Sequence, residues 1–371
     1  MLARFEVTNF KNFKDTITFD LTKSNSYEFN KECISNGIIN KAIVYGYNGV
    51  GKSNLGFAIF DLVSHLTDRN NSSELYENYT YAGSSEHASF KYEFHFLEDR
   101  VVYEYGKTDL DTLVFEKLYI NGKLFAAIDR RKSNTAFIDA EGAESLKKDL
   151  SETAISVVTY IKKNTVLEAN RDNDCFRNFA TYVNGMLFFR SLGQNNYIGL
   201  EQGTTGIETD IIEKNNVEAF ESFLNKAGIK CNLITVLNDG KKPHLAFEFD
   251  GKQIPFYDIA SQGTRALGVF YFWFQRLKKE DTKVTLVFID EFDAFYHYSL
   301  SLLVIEQLRG IKPQVIVTTH NTSVMTNELL RPDCYFFIDE KGIRSLSNRT
   351  PKELREAHNI EKMYRAGAFD G

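Results

Sequence analysis

The chain is poor in cysteine and proline, and each scarcity narrows its class. Four cysteines, Cys33, Cys175, Cys231 and Cys334, are scattered over 371 residues. No C-x-x-C pair occurs, which argues against a zinc site of the usual spacing. The same scatter argues against a disulfide framework and fits reduced thiols in the cytosol. Five prolines and no low-complexity segment or internal repeat mark a folded chain. No apolar run approaches a membrane span, and Met1-Leu2-Ala3-Arg4-Phe5-Glu6 lacks the apolar core of a signal peptide. These absences predict a cytoplasmic protein with no membrane partner. Positive charge is not in excess either. A net charge of −6 argues against a protein that coats nucleic acid and leaves only short basic runs, Arg130-Arg131-Lys132 and Lys162-Lys163. What is plentiful is apolar and aromatic: 43% hydrophobic residues, 31 Phe and 19 Tyr. That supports one large domain or two ordinary ones, with most aromatics in the core.

The stretch that organises the rest is Gly46-Tyr47-Asn48-Gly49-Val50-Gly51-Lys52-Ser53, a G-x-x-x-x-G-K-[ST] phosphate-binding loop. Its context fits. Ala42-Ile43-Val44-Tyr45 before it reads as a buried strand. Residues 55–66 after it read as a helix, with Leu55, Ile59, Leu62 and Leu66 along one face. Gly46, Asn48, Gly49 and Gly51 let backbone amides close round a phosphate at the positive end of the helix dipole. Lys52 can neutralise β- and γ-phosphates, Ser53 can ligate Mg²⁺, and Asn54 is expected to join the nucleotide-binding set.

Around this loop the pattern alternates between strand and helix periods. Residues 4–9 and 17–21 read as a hairpin at the start of the chain. Residues 67–87 are polar, with Asn70-Asn71-Ser72-Ser73, and read as a surface loop. Phe90, Tyr92, Phe94 and Phe96 alternate, as do Val101, Tyr103 and Tyr105; with 113–120 and 124–128 they form an antiparallel meander turned at Asn121-Gly122. From 143 to 192 the period is helical, with Met186 and Phe189 on one face, and 206–227 is a second helical region. Strands return over 229–257, with turns at Asp239-Gly240 and Asp250-Gly251. The nucleotide-binding parts therefore fall before residue 60 and after residue 255. The expected division is an N-terminal ATPase half at 1–140, an inserted helical lobe at 141–228, and a C-terminal half at 229–371. The fold class is α/β: a P-loop domain with a mixed central sheet, an antiparallel meander and an inserted helical lobe.

Three further stretches carry chemistry. Leu286-Val287-Phe288-Ile289-Asp290-Glu291 is a buried strand ending in two acids. Asp290 suits Mg²⁺ opposite Ser53, and Glu291 suits polarising a water in line with the γ-phosphate. His320 ends the strand 315–317 and its continuation Thr318-Thr319; there a neutral imidazole can bond the γ-phosphate or the attacking water. Ser261-Gln262-Gly263-Thr264 opens a helix over 260–277, either as a simple N-cap or as an anion site made of a hydroxyl, a glycine amide and a helix dipole.

In this order the motifs resemble the ABC-type ATPase superfamily, in its SMC and RecF-like branch. Residues 1–13, ending Asn9-Phe10-Lys11-Asn12-Phe13, are similar to that branch's opening hairpin, and Ala260-Ser261-Gln262-Gly263-Thr264-Arg265 to its signature motif. Tyr103-Glu104-Tyr105-Gly106 with Glu116-Lys117-Leu118, Asp290-Glu291-Phe292-Asp293 with His297, and the stretch from Ile360 to Phe369 resemble the AAA-type ATP-binding proteins of bacterial abortive-infection and anti-phage systems. The resemblance implies ATP and Mg²⁺ as ligands and a homodimer with ATP at its interface. Ser261, Gly263 and Thr264 of one subunit would close on the phosphates held by Lys52 and Ser53 of the other. Asp293 would lie across the interface, and Lys11, Asn12 and Phe13 would contact adenine and phosphates. Glu291, Mg²⁺ and His320 would serve hydrolysis. The chain departs from the pattern in having no assignable Q-loop glutamine, Phe292 in place of proline, and Phe295-Tyr296-His297 where the family has S-L-H. It has neither a long coiled coil nor an acid-rich nuclease module.

The leading expectation is an ATP-driven dimerising switch in anti-phage defence that controls a separate effector, such as a nuclease. Two others compete: a RecF-like repair ATPase binding nucleic acid through the basic runs, and a P-loop kinase acting on a small molecule.

Overall fold

The computed structural model describes residues 1–67, 73–191, 196–200, 206–237 and 242–369. The phosphate loop hangs from a seven-stranded sheet of order Asn196–Gly199, Met186–Arg190, Leu286–Asp290, Gln314–Thr319, Lys41–Tyr45, Tyr335–Asp339, Gly342–Ser345. The five central strands are parallel and the two edges antiparallel. Lys41–Tyr45, Leu286–Asp290 and Gln314–Thr319 are buried at every position. Parallel strands covered on both faces require that continuous apolar run. Because they run the same way, their last residues, Arg190, Asp290, Thr319 and Tyr45, reach one edge of the sheet, where open α/β sheets bind ligands.

A second seven-stranded sheet is antiparallel throughout, in the order Ser133–Ile138, Lys123–Asp129, Leu113–Ile120, Asp99–Lys107, Ala88–Phe96, Leu2–Thr8, Ile17–Asp20. It contains the expected hairpin and meander. Asn121 and Gly122 turn between two strands with φ of 51° and 82°, the left-handed pair that tight hairpins need. The helix Lys52–Leu66 lies between the two sheets. A side chain at Gly56 would collide with Phe188 and Phe288 of the parallel sheet, while the Tyr92 hydroxyl of the antiparallel sheet donates to the Ala58 carbonyl at 2.8 Å. Eleven of the helix's fifteen residues are buried, so it is a core helix and not the one-faced helix its leucine spacing suggests.

The largest departure from the sequence reading is at 143–192. Helices form at Val157–Asn164 and Arg171–Asn184, the latter capped by the Asn170 side chain and ended at Gly185. Met186–Arg190 is then a strand, paired in parallel with Leu286–Asp290. Met186 and Phe189 therefore share no helical face. The middle of the chain supplies a strand to the phosphate-loop sheet, so 141–228 is not helical throughout. A four-residue apolar run has no period of its own, and Gly185 ends the helix before it. The loop after residue 67 also differs: Tyr76 and Tyr79 are buried, and the Tyr79 carbonyl accepts from the Lys11 amide at 2.9 Å. Asn70, Asn71 and Ser72 lie outside the described residues, as does the turn at Asp239-Gly240.

Ile207–Glu213 and Val217–Lys226 pack on Gln262–Leu277 beside a small sheet of Leu233–Leu237, Pro243–Phe249 and Lys252–Pro255. Arg276 grips Asp210 through both carboxylate oxygens, at 3.0 and 2.6 Å. Among the described residues, no helix is long and apolar enough to cross a membrane.

Candidate nucleotide site

The phosphate loop closes back on itself. Gly51, at φ +112°, precedes the helix, and a Cβ there would lie 2.6 Å from Asn12 Nδ2 and 2.7 Å from the Phe13 ring. Only glycine fits that cradle. Asn12 donates to the Val50 carbonyl at 3.0 Å and accepts from Asn54 at 2.7 Å, which clips the N-terminal turn to the loop and the helix start. Lys52 Nζ donates to the carbonyls of Gly46 (2.8 Å) and Tyr47 (3.2 Å) and lies 3.1 Å from Glu291. An open cavity of about 750 Å³ adjoins the loop between residues 12–17 and the 339–341 turn, with Asn48 and Gly49 on its wall. That volume is in the range of small-ligand sites.

The acid-pair strand meets the loop directly. Ser53 Oγ donates to Asp290 Oδ2 at 2.6 Å, and Thr318 Oγ1 donates to Asp290 Oδ1 at 2.7 Å. Burial raises the Asp290 pKa above the usual carboxylate value, and the Ser53 and Thr318 hydroxyls oppose that rise. Among the described residues, no group of three or more His, Cys, Asp or Glu side chains forms a metal cluster. One hydroxyl and one carboxylate nevertheless suit Mg²⁺, a hard cation that keeps several waters and shares its remaining positions with phosphates. ATP and Mg²⁺ therefore fit the residues present.

Glu291 stands at φ +48°, a left-handed conformation rare for a glutamate and costing about 1–3 kcal/mol. Its amide donates to Thr318 Oγ1 at 2.8 Å, and the next amide, Phe292, donates to the Thr318 carbonyl at 3.1 Å. Those bonds hold the turn that places the Glu291 carboxylate between Lys52 and His320 Nδ1, the latter at 3.0 Å. His320 is half exposed.

A family model described as "AAA domain, putative AbiEii toxin, Type IV TA system" matches residues 41–326, from the phosphate-loop strand to just beyond His320. The chain belongs to this AAA family. It is a P-loop protein of ATP-binding, ATPase fold. No curated protein matches it. Among solved structures, it is similar to an SMC head bound to the C-terminal winged-helix domain of ScpA, at 15% identity over 93% of this chain and 97% of that one, with a TM-score of 0.46. It is also similar to the SMC head domain from Thermotoga maritima, at 15% identity over 95% and 99% of the two chains, with a TM-score of 0.41.

Other expected site residues of the AAA protein are committed locally. Lys11 Nζ donates to the carbonyls of Leu75 (3.0 Å) and Glu77 (3.1 Å), and burial first, Arg190 second, push its pKa down. Asp293 is buried and accepts from Thr319 Oγ1 at 2.7 Å, so within the chain its carboxylate points inward. Ser261 caps the helix Gln262–Leu277 by accepting from the Thr264 amide at 3.2 Å, and Gly263 faces the Phe295 carbonyl. Among the described residues no hydrogen bond joins this helix start to the chain's own Lys52 or Ser53. The basic run at 130–132 is occupied too: Arg130 donates to the carbonyls of Thr153 and Ile155, and Arg131 pairs with Asp129. Thr318, Thr319 and Arg190 belong to no motif; the first two end the strand Gln314–Thr319 beside His320, and that position is their one signal in the sequence.

Proposed function

We propose that the chain binds ATP with Mg²⁺ and hydrolyses it, using the hydrolysis cycle as a switch between two copies of itself. The observation that carries this reading is the joint placement of Ser53 on Asp290 and of Glu291 between Lys52 and His320. Lys52, Ser53 and the amides of the loop would hold the phosphates. Mg²⁺, bound by Ser53 and Asp290, would offset phosphate charge. Glu291 would accept the proton of an attacking water, and His320, hydrogen-bonded to the same carboxylate, would keep Glu291 oriented. In this reading the active unit is a homodimer. Ser261 is exposed and Gly263 half-exposed, and among the described residues neither is hydrogen-bonded to the chain's own Lys52 or Ser53, which suits completion of a second copy's site. The chain then divides functionally into 1–140, 141–228 and 229–371, with Met186–Arg190 lent by the middle part to the ATPase sheet.

The family description supports a role in a toxin–antitoxin or abortive-infection setting. We place the protein there as a cytoplasmic switch acting on a separate effector, such as a nuclease. The test is Glu291→Gln, assayed for phosphate release and by size-exclusion chromatography with ATP and Mg²⁺. Lost hydrolysis with a nucleotide-dependent increase in size is expected. Normal phosphate release by the variant removes Glu291 from the mechanism.

A further inference from the structure

The parallel strand Met186–Arg190 ends beside the candidate Mg²⁺ ligand Asp290. Arg190 pairs in register with Asp290 on the neighbouring strand, and the Ser191 amide donates to the Asp290 carbonyl at 3.3 Å. Neighbouring strands lie about 4.8 Å apart. The face is also fixed. Phe188 and Phe288, in register with each other, both border Gly56 of the phosphate-loop helix, and two residues further on Arg190 and Asp290 share that face. Phe189, between them, faces the other way, against Trp273.

Among the described residues, Arg190 is paired with no carboxylate. Its guanidinium lies 5.1 Å from the centre of the Phe57 ring, and among the described residues it forms no hydrogen bond or ion pair. Asp290, the nearest carboxylate by register, has its oxygens occupied by Ser53 and Thr318. A second cation shares the corner: Lys11 Nζ is 5.4 Å from the same ring centre. Burial and Arg190 together lower the Lys11 pKa, and an anionic ligand placed between the two cations would relieve their repulsion.

Topology says which part of the ligand that is. The open cavity lies on the Tyr335–Asp339 side of the phosphate-loop strand and has room for a nucleoside. Asp290 and then Arg190 lie on the opposite side. A triphosphate running from that cavity across the loop has its terminal group nearest Arg190.

We propose that Arg190 contacts the γ-phosphate and makes the site prefer nucleoside triphosphate over diphosphate. This rests on the ATP-binding reading above, and the experiment separates the two. Binding of a fluorescent ATP analogue and the matching ADP analogue, each with Mg²⁺, is measured for the full chain and for Arg190→Gln, Arg190→Lys and Lys52→Ala. Losing a hydrogen bond to a charged group weakens affinity by roughly tenfold or more. Arg190→Gln is therefore expected to lose about that factor for ATP while ADP binding holds, Arg190→Lys to recover part of it, and Lys52→Ala to weaken both nucleotides. If Arg190→Gln weakens both equally, or neither, Arg190 only packs on Phe57 and the proposal fails while the ATP-binding reading stands. If the unmodified chain binds neither nucleotide, that reading fails and takes the proposal with it.

Discussion

Thr318 donates its hydroxyl to Asp290 across 2.7 Å while accepting the Glu291 amide at 2.8 Å. One threonine thus orients both acids of the pair, from the strand next to theirs. Replacing it with valine keeps the shape and removes both bonds. Outer-shell partners of this kind are worth roughly 10–100-fold in metal affinity or activity. Thr318→Val is expected to lower kcat by that order and to raise the Mg²⁺ concentration needed for half-maximal rate, with metal-free ATP affinity unchanged. An unaltered Mg²⁺ dependence would contradict the orienting role.

Gly51 and Gly49 offer a paired comparison. Both have positive φ, but a Cβ at Gly51 would lie 2.6 Å from Asn12 Nδ2, whereas nothing lies within 4 Å of one at Gly49. Alanine at either site carries the left-handed strain, on the order of 1–3 kcal/mol. Only at Gly51 must the clip between Asn12 and the loop also open. Gly51→Ala is expected to weaken nucleotide binding on the order of tenfold more than Gly49→Ala. Titration of both variants with ATP checks this, and equal losses remove the role given to the clip.

Asp61 is the one acid inside the phosphate-loop helix, fully buried against the antiparallel sheet. It accepts from Tyr79 and Tyr105, each at 2.9 Å, and pairs with the buried Lys107 at 3.2 Å. Removing one partner of a buried pair strands the other charge, at about 3–5 kcal/mol. Asp61→Asn should lose stability of that order in urea unfolding, and adding Lys107→Met should recover part of it. A double variant no more stable than the single one would show that Lys107 is not the stranded group.

Lys41 predicts a pH dependence. Its ammonium donates to the carbonyls of Ile311 and Pro313 at 2.9 and 2.7 Å, and burial lowers its pKa from 10.5 to about 8, Cys33 and Cys334 acting the other way. Between those values the unfolded chain holds the proton and the folded chain does not, so stability from this group rises with pH over that window. Below pH 8 its penalty is fully present. The unmodified chain should therefore gain about 2–3 kcal/mol on Lys41→Met between pH 7.5 and 10. Urea unfolding at both pH values measures the gap, and a gap that stays constant would mean that the two states share one Lys41 pKa.

The loop 46–53, the acid pair and the alternating meander were legible in the sequence because each is set by local rules. Those rules are glycine at positive φ, acids ending an apolar run, and a period of two along a half-buried strand. Met186-Leu187-Phe188-Phe189 was not legible, since a short apolar run reads equally well as the end of a helix. Neither was the burial of the polar-looking segment around Tyr76 and Tyr79, whose partners lie on the N-terminal hairpin and the phosphate-loop helix.

By itself, the sequence determined that a phosphate loop exists, that Asp290 and Glu291 end one strand and that His320 follows another, because these are neighbours along the chain. Only the tertiary structure decided that Thr318 orients both acids, that Glu291 bridges Lys52 and His320, and that Arg190 stands in register with Asp290. Those relations join residues far apart in sequence. They follow from the parallel sheet, which brings the ends of separate strands to a single edge, and no spacing along the chain encodes which strands become neighbours.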